Sequence, residues 1–584
     1  ELLTANLLAP LGAGNLSQVL SQSDRLRFFD QQPFGVSSLT GYGSRGDWSE
    51  TVTVFGSTGG FSYAFDTVYQ SLNGQRANND SEQRDFALTM KQRVTADDDL
   101  YFQIGDFHSE AGDVAQHYDP NSAAKDFSVR EKQEPDIYAG WHHAWSPRSH
   151  TLVLFSRLAD DFTQHNGNAD VLYLQTPFFG SGVLAVQNGP LTPAPTGSGP
   201  LATDLNSRFT LYSADVQQIW ETENFSLIAG GRWQSATENN DAQLTEANNG
   251  SPNTVLTQNK SGYLERGDAY AYGSWQMTGK LRVIGGVDYS HIRFPKNLDL
   301  PPLAAGETEK DLIAPKLGLI FQPWERGVIR AAWTRSLGGL YFDNSVRLEP
   351  TQVGGFNQAY RSLLPESVAG LVPGSQFETI SLGFDQSLKS GTFFGVETEQ
   401  LTSKGERTAG SFSSFGGLLI DPGTVSQTRQ QMDFRERNLS LYVAQLLGDY
   451  FSVSTRYRLS EAKLTTEFPD IPNTAAGLDQ LEQHDRAVLH TVSFALNFNH
   501  PSGFFAQWQS SWYHQNNFGY VPSLAVENLW QHNLMVGWRF ARRHAEIRAG
   551  ILNLTDEDYR LNPLNLMADL PRGRTFVASL RLNF

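Results

Sequence analysis

The sequence predicts an all-β protein, a transmembrane antiparallel β-barrel of about 22 strands with short turns at one end and long loops at the other. Three observations support this prediction. The last residues of the chain alternate between two faces, segments with a period of two recur along almost the whole chain, and short connections alternate with long ones. A soluble β-sandwich has no reason to sort its connections by length in this way.

The C-terminal segment 576–584 reads as a strand whose two faces differ in polarity. The apolar face carries Phe576, Ala578, Leu580, Leu582 and Phe584, and the other face carries Val577, Ser579, Arg581 and Asn583. The closing strand of a membrane barrel meets lipid on one face and a wet lumen on the other. Phe576, Leu580, Leu582 and Phe584 also resemble the terminal signal that the barrel-assembly machinery of bacterial outer membranes reads.

Segments with apolar residues at alternate positions predict the other strands. Clear examples lie at 61–70, 86–94, 137–145, 281–289, 492–499 and 533–540. Tryptophans fall on the face that we assign to lipid, as interfacial girdles require; these are Trp141, Trp145, Trp333, Trp508, Trp512 and Trp538. A helix is plausible only near the start, where Leu16, Val19 and Leu20 share one face.

The connections between these strands fall into two classes that alternate. Short turns are predicted at 58–60, 96–98, 147–148, 221–223, 278–279, 323–326, 389–390, 448–449, 500–502 and 541–542. Long loops are predicted at 44–50, 72–83, 108–133, 161–204, 236–265, 292–310, 337–376, 403–429, 462–486, 515–526 and 554–573. This count places both chain ends on the short-turn side and makes 35–44 the first strand, against which the last must close.

Composition restricts the function classes. The chain has 584 residues and no Cys, which excludes thiolate metal sites, cysteine nucleophiles and disulfides. A net charge of -17 argues against a nucleic-acid partner, because phosphate binding needs a basic face. We find no apolar run of about 18 residues, so no transmembrane helix is predicted.

Several local motifs resemble the barrel domain of the TonB-dependent outer-membrane receptors. Residues 551–560 (ILNLTDEDYR) are similar to the family's Asn-Leu-x-Asp-x-x-Tyr segment, and 570–576 (LPRGRTF) to its Pro-Gly-Arg entry into the last strand. Residues 314–319 (APKLGL) and 331–336 (AAWTRS) resemble a family hairpin. The resemblance implies a Gram-negative outer-membrane protein that imports a bulky, scarce nutrient of the siderophore, cofactor or glycan class, with TonB as a partner.

The sequence departs from the family at its start. Only residues 1–34 precede the first predicted strand, and neither a plug domain nor a TonB box is seen in them. We therefore expect 1–34 to be a periplasmic or lumenal segment and 35–584 to be the barrel. A plug removed from this chain, a plug on a separate polypeptide and a plugless relative all remain open. The last reading is an export or structural channel that works with a periplasmic partner protein.

Something should occupy so wide a barrel, because 16–18 strands already enclose an aqueous channel. The loops 161–204 and 337–376 are long enough to fold inward. In the first of them, five prolines favour irregular backbone over added strands; these are Pro177, Pro190, Pro193, Pro195 and Pro200.

No catalytic group of residues is found, so the protein is expected not to be an enzyme, and no cofactor or metal site is predicted. His142 and His143 are neighbours in a strand and must point to opposite faces, so they cannot hold one metal ion. No carboxylate spacing completes a site around His484 and His490. The outer-membrane lipid and lipopolysaccharide are the expected surroundings.

Two sets of residues are candidates for binding. Aromatic and amide side chains of loop 337–376 suit contact with a ligand, or equally a loop packed on itself; they are Tyr341, Phe342, Gln352, Phe356 and Tyr360. A basic wall is predicted on the inner face; it consists of Arg330, Arg456, Arg458, Arg539, Arg548 and Arg581. The wall would dock an acidic plug, guide an anionic cargo, or pair with lumen carboxylates such as Glu546 and Asp288 and stiffen the barrel.

Overall fold

A computed structural model describes residues 33–177, 182–188, 201–248, 251–339, 347–359, 372–415, 424–540, 544–566 and 569–584. Its described strands form a closed antiparallel barrel of 22 strands, as the sequence predicts. Each barrel strand pairs with its neighbours in the sequence, except where a loop strand intervenes.

The barrel strands run in chain order around the wall. The first seven are β1 (Gly35–Gly43), β2 (Trp48–Thr58), β3 (Phe61–Leu72), β4 (Ser81–Arg93), β5 (Asp98–Ala111), β6 (Phe127–Ser146) and β7 (Ser149–Ala169). The next six are β10 (Leu201–Glu221), β11 (Phe225–Asn248), β12 (Ser251–Thr278), β13 (Leu281–Asn297), β14 (Ala304–Trp324) and β15 (Gly327–Leu337). The last nine are β18 (Gln376–Ser387), β19 (Thr392–Phe415), β20 (Thr424–Leu447), β21 (Phe451–Glu467), β22 (Gln483–Asn499), β23 (Phe504–Phe518), β24 (Glu527–Phe540), β25 (Ala545–Leu552) and β26 (Thr575–Asn583).

The remaining regular elements lie in the loops. They are the strands β8 (Leu172–Thr176), β9 (Ala185–Asn188), β16 (Gln352–Val353) and β17 (Phe356–Asn357), the one-turn helix α1 (Leu478–Leu481), and 3-10 turns at Pro120–Ser122 and Pro563–Asn565. Among the described residues, no helix is both long and apolar enough to cross a membrane.

The barrel closes between β1 and β26, as predicted. The seam runs from Ser37 opposite Asn583 to Gly43 opposite Val577. The amide of Val36 donates to the carbonyl of Phe584 at 3.0 Å, and the amide of Phe584 donates back at 2.8 Å. Closure matters because a free strand edge in lipid would leave backbone polar groups without partners.

The two faces of the strands differ as the period of two requires. In β7, Leu152, Leu154 and Leu158 are buried on the inner face, whereas Phe155 is 57% exposed on the outer one. The predicted lipid-facing residues Trp145 and Trp538 are likewise exposed. His142 is buried on the inner face, and His143 contacts Asp98 on the outer one, which confirms that the two point apart.

Nine of the ten predicted short turns lie between paired barrel strands, and the tenth, 541–542, lies outside the described residues. Two loop predictions were wrong in extent. Within 236–265, β11 and β12 stay paired up to Asn248 and Ser251. Within 403–429, β19 and β20 stay paired up to Ser413 and Thr424. Beyond the lipid-facing band the outer face of these hairpins is polar, and the buried inner face mixes polar residues such as Asn240 and Thr428 with apolar ones such as Leu244. The apolar alternation is therefore lost while the backbone ladder continues. The loop 161–204 also departs from the prediction, because part of it forms β8 and β9 instead of irregular backbone.

The closing seam can be tested with a cysteine pair, since the protein has no Cys of its own. Ser37 and Asn583 face each other, and the Ser37 hydroxyl donates to Asn583 Oδ1 at 2.7 Å. They flank a hydrogen-bonded pair, so their Cα atoms are close enough for a disulfide. We expect Ser37→Cys/Asn583→Cys to cross-link on mild oxidation, detected by mass spectrometry of the linked peptides. Ser37→Cys/Leu582→Cys is the control, because its side chains point to opposite faces; equal cross-linking of the two pairs would contradict the register.

Candidate functional site: the barrel lumen

A segment of loop 337–376 lies inside the barrel, as its length allowed. Residues 347–359 are described, and both backbone groups of Leu348 bond to the inner wall. Its amide donates to Asp215 at 3.1 Å, and its carbonyl accepts from the Gln217 side chain at 2.6 Å. The backbone of the segment is therefore satisfied by polar side chains of β10, which a wet lumen allows and a lipid-facing surface does not.

A buried network of charges surrounds this segment. Asp268 on β12 accepts from the guanidinium groups of Arg232 at 2.6 Å and Arg266 at 2.9 Å. Within the segment, Arg347 pairs with Glu349, which also accepts from the Tyr272 hydroxyl. The network has four cations and four carboxylates, all buried; they are Arg232, Arg266, Lys316, Arg347, Asp215, Asp268, Asp288 and Glu349. Charges withdrawn from water stay ionised only when they are paired, so the balance makes the anchor specific.

The tip of the segment is the hairpin of β16 and β17, which packs flat on β14 and β15. Val353 and Phe356 are buried against Tyr270, Tyr272 and Ala332. The turn uses Gly354 at φ 60° and passes so close to Gly318 that a Cβ there would meet the Gly354 nitrogen at 2.9 Å. Gly318 belongs to the motif APKLGL, which therefore has a local structural role as the floor under this hairpin.

The candidate ligand residues of this loop are placed only in part. Phe356 is buried in the wall contact, with the Arg330 guanidinium 5.0 Å from its ring centroid. Gln352 is exposed and donates to Asn357 at 3.0 Å. Tyr341, Phe342 and Tyr360 lie outside the described residues. Ligand binding by this set stays a prediction. At Phe356 the burial against the wall supports the alternative, a loop packed on the barrel itself.

The mouth of the barrel is bridged by β8. β18 pairs with β19 only up to Lys404, which leaves the far end of one β19 edge open. β8 pairs in parallel with this edge, from Leu172 opposite Ser411 to Thr176 opposite Phe415. β9 pairs with β8 and bonds to Ala476 of loop 468–482. Since β7 and β19 are separated by seven barrel strands, this pairing spans the opening.

The last loop is held at its base by residues of the segment 551–560. The Asn553 side chain is buried; it donates to the carbonyls of Glu557 at 2.8 Å and Pro571 at 2.9 Å, and accepts from the Glu557 amide. Asp556 accepts from the amide of Arg574 at 2.6 Å. Asn553 and Asp556 have φ of 50° and 63°, a conformation that Asn and Asp tolerate better than most residues. The two motifs 551–560 and 570–576 therefore form one clasp.

Tyr559 is the centre of this clasp. Its ring is buried under the Arg572 guanidinium, 4.0 Å away, and its hydroxyl donates to the Leu570 carbonyl at 3.1 Å. Burial raises the pKa of Tyr559 above its usual range, so the hydroxyl stays a donor at neutral pH. The clasp directs the following residues inward, where Leu564 is buried against Leu401 and Ala462 of the wall. The inward course of this loop was not predicted, because no loop shorter than the two longest was considered.

The residues of the predicted basic wall fall into separate ion-pair groups. Arg330 pairs with Asp385 at 2.9 Å and contacts the Gly355 carbonyl of the lumenal segment. Arg458 lies 3.7 Å from Glu436. Arg456 is exposed, with the Tyr442 ring 5.9 Å away.

The largest of these groups lies beside the seam. Arg539 and Arg548 bond to Glu546 at 2.8 and 3.1 Å, and Arg581 lies opposite Glu546 in the register. Glu546 thus has the pairing role that the sequence suggested, whereas Asp288 belongs to the network around the lumenal segment. One carboxylate for three arginines leaves this part of the wall positive. Its role in docking or guiding an anion stays a prediction.

Apolar side chains also cover part of the inner face, which the sequence analysis missed. A single cluster of buried side chains runs along β3, β5–β7 and β10–β15; it includes Ala64, Tyr101, Tyr138, Leu152, Leu154, Ile219, Leu264, Ile292 and Leu348. Arg456, Arg539, Arg548 and Arg581 lie on strands outside this cluster, whereas the charge network around Leu348 lies among its strands. Alternation identifies which residues share a face, but it does not reveal which part of that face is covered.

Three potential metal ligands converge on the outer face of β5 and β6. The ligand atoms of Asp106, His108 and Glu134 lie within 4.8 Å of one another. They meet because a bulge between Gly105 and Phe107 shifts the pairing, which spacing alone could not indicate. Lys132 already forms an ion pair with Glu134, and Arg84 lies opposite His108, so a metal ion would compete with two cations.

The lumenal anchor predicts the effect of removing one carboxylate. Asp268→Asn would remove the carboxylate that the buried Arg232 and Arg266 share, and we expect a loss of about 3–5 kcal/mol in the free energy of unfolding. Urea unfolding followed by gel mobility measures this. Asp241→Asn is the matched control, because Asp241 forms an exposed pair with Arg208 at 3.8 Å, which is worth about 0–1 kcal/mol. Similar losses in both variants would contradict the anchor.

The clasp gives a second prediction. Asn553→Ala removes three side-chain hydrogen bonds and forces alanine into a left-handed backbone, so we expect the loop base to lose about 2–4 kcal/mol. Limited proteolysis within 554–573 should accelerate, while barrel mobility on gels is retained. Leu554→Ala, at the exposed neighbouring position, should leave the cleavage rate unchanged. Unaltered protease resistance of Asn553→Ala would show that the loop is held elsewhere.

Comparison with known proteins gives no match to a protein-family model and none to a curated sequence. Solved structures do match in fold. The copper transporter OprC is 13% identical with a TM-score of 0.61, over 95% of this chain and 81% of that one. The unliganded ferric citrate transporter FecA is 12% identical with a TM-score of 0.59, over 95% and 79%. The FrpB iron transporter from Neisseria meningitidis (F3-3 variant) is 11% identical with a TM-score of 0.60, over 97% and 83%.

These structures are all TonB-dependent receptors. At such low identity the likeness concerns the fold. It agrees with the independent features of the chain, namely a closed barrel, an apolar outer band and a clasp built from the two shared motifs. The protein is therefore an outer-membrane β-barrel with the fold of the TonB-dependent receptors.

Proposed function

We propose that the protein is the barrel of a TonB-dependent transporter that imports a bulky, scarce nutrient across the outer membrane. The observation that carries this proposal is loop backbone held inside the barrel and across its mouth. The segment 347–359 is fixed to the inner wall by a balanced buried charge network, and β8 and β9 span the mouth. A general diffusion pore needs a free passage, whereas a gated importer needs loops that meet its cargo.

The fold-related structures support the same class. Their names mention copper, ferric citrate and iron as transported species of those proteins. For this protein we propose a cargo of the siderophore, cofactor or glycan class. The exposed Gln352, close to the turn of the lumenal hairpin, and the aromatic residues of the same loop would contact it. We propose no catalytic role, and TonB would supply the energy for release.

A plugless channel is the alternative function, and one observation favours it. Arg539, Arg548 and Arg581 share one carboxylate on strands near the C-terminus, where the lumen meets the periplasm. An acidic periplasmic partner protein could close the barrel at this site, with Glu546 repelling it and the three arginines attracting it. The two functions differ in what supplies the closure, which the reading frame upstream of Glu1 would indicate. A plug with a TonB box there supports import, and a different periplasmic domain supports the channel.

Conductance in a planar bilayer tests the proposal. We expect the purified barrel to show little steady conductance, because its own loops obstruct the lumen. Replacing 340–371 by a short Gly-Ser turn should open a large conductance, since a barrel of this size encloses a wide hole. Shortening the loop 114–123, which lies outside the lumenal network, is the control and should change nothing. A wide, steady conductance of the unaltered protein would favour the channel over the importer.

A further inference from the structure

A ladder of aromatic rings crosses the outer face of β21–β24. It runs from Tyr457 through histidines and tryptophans of the next three strands; these are His490, Trp508, Trp512, His514, Trp530 and His532. The Tyr457 hydroxyl is 2.9 Å from His490 Nδ1. The rings of Trp512 and His514 are nearly parallel at 4° with centroids 5.8 Å apart, and those of Trp530 and His532 at 9° and 6.2 Å.

The ladder lies at the extracellular end of the lipid-facing band. Below it on β22 come Phe494 and Phe498, and the short turn after Phe498 marks the periplasmic side. From Phe498 to His490 the strand rises by about 27 Å at roughly 3.4 Å per residue, and it is tilted. A tilt of about 40° reduces this length to a height of about 21 Å, which places His490 near the top of an apolar band about 25 Å tall. The ladder therefore sits at the headgroup level of the outer leaflet.

Directly above the ladder, three cations lie side by side across neighbouring strands. Arg435 on β20 is opposite Lys463 on β21, which is opposite Arg486 on β22. All three are exposed on the outer face. Like charges placed directly opposite each other destabilise a sheet. Arg486 bonds to Glu461 at 2.7 Å, whereas among the described residues neither Arg435 nor Lys463 forms an ion pair. We call Arg435, Lys463 and Arg486 the basic row.

On the other side of the barrel, several outer cations are paired with carboxylates. On β6, β10 and β13, Arg130, Arg208 and Arg293 each have a carboxylate partner across the strands. In these three places the outer cation has a carboxylate partner, whereas Arg435 and Lys463 form no ion pair among the described residues. An arrangement of unpaired cations over planar rings calls for an anionic partner with an extended, partly apolar body.

We propose that this sector binds the phosphorylated glycolipid of the outer leaflet, the lipid A part of lipopolysaccharide. The basic row would neutralise its phosphates, which charge-assisted hydrogen bonds from guanidinium and ammonium groups favour. The indole and imidazole rings present flat apolar faces with N–H donors at their edges, which suits the sugar rings between the phosphates and the acyl chains. The order upward along the wall is then acyl chain, sugar and phosphate. This inference rests on the outer-membrane location and is independent of the transport function.

The test measures binding of defined lipids to the detergent-solubilised full chain by native mass spectrometry. The probes are lipid A, its dephosphorylated form and phosphatidylglycerol. We expect lipid A to bind about tenfold more weakly to Arg435→Gln/Lys463→Gln and to Trp512→Ala/Trp530→Ala. Arg208→Gln and Trp145→Ala are the matched controls, since they remove an outer cation and an outer tryptophan in other places, and both should bind as the unaltered protein does. Heat-modifiable gel mobility checks that each variant is folded.

Each outcome decides the proposal. Unchanged lipid A binding by either double variant overturns the assignment of that set of residues. Equal loss in the controls would show a general effect of surface charge or apolar area and would overturn the site. Equal binding of the dephosphorylated lipid A would remove the role of the basic row. Phosphatidylglycerol bound as tightly as lipid A would mean a site for any anionic phospholipid, which also contradicts the proposal.

Discussion

Every backbone polar group of a membrane-spanning chain must find its partner within the protein, and the rest of this structure depends on that constraint. It forces the sheet to close, so the short strands β1 and β26 meet along a seam that joins both ends of the barrel. Closure in turn creates two different surroundings for each strand, lipid outside and a shielded lumen inside. The alternation of side chains follows from these two surroundings, and so does the freedom to place charge on the inner face.

At one place in the lumen, equal numbers of cationic and anionic side chains are buried together. Four cations and four carboxylates are buried together where the segment 347–359 meets β10–β14. A buried charge without a partner is costly, so the segment lies where its charged residues meet partners of the wall. The hairpin tip then packs flat over Gly318. The position of loop backbone inside the lumen, on which the proposed import function rests, is a consequence of this anchor.

At the extracellular end, the arrangement of the loops depends on strand edges that have no neighbour in the barrel wall. Because β18 stops pairing at Lys404, the edge of β19 beyond it offers free donors and acceptors, and β8 occupies them. The clasp of Asn553, Tyr559 and Arg572 solves a related problem, because it fixes both ends of the last loop and sends the middle inward. The outer face of the barrel also differs between two sectors. In one sector the cations pair with carboxylates, and in the other lie the aromatic ladder and the basic row.

The sequence by itself determined the fold class, the strand number, the short turns and the closing pair. Strands with one face in lipid have apolar residues at every second position, and this pattern is visible in the sequence. It also placed Arg330, Arg539, Arg548 and Arg581 on the inner face.

The sequence-based prediction failed where the period of two carries no information. The paired ends of β11, β12, β19 and β20 meet no lipid outside and bury polar as well as apolar residues inside, so their sequences look like loops. Only the tertiary structure decided which loops turn inward, that Asp268 joins Arg232 to Arg266, and that Arg435, Lys463 and Arg486 share one row. Those relations depend on register between strands and on paths across the mouth, which distant residues set jointly and no local pattern records.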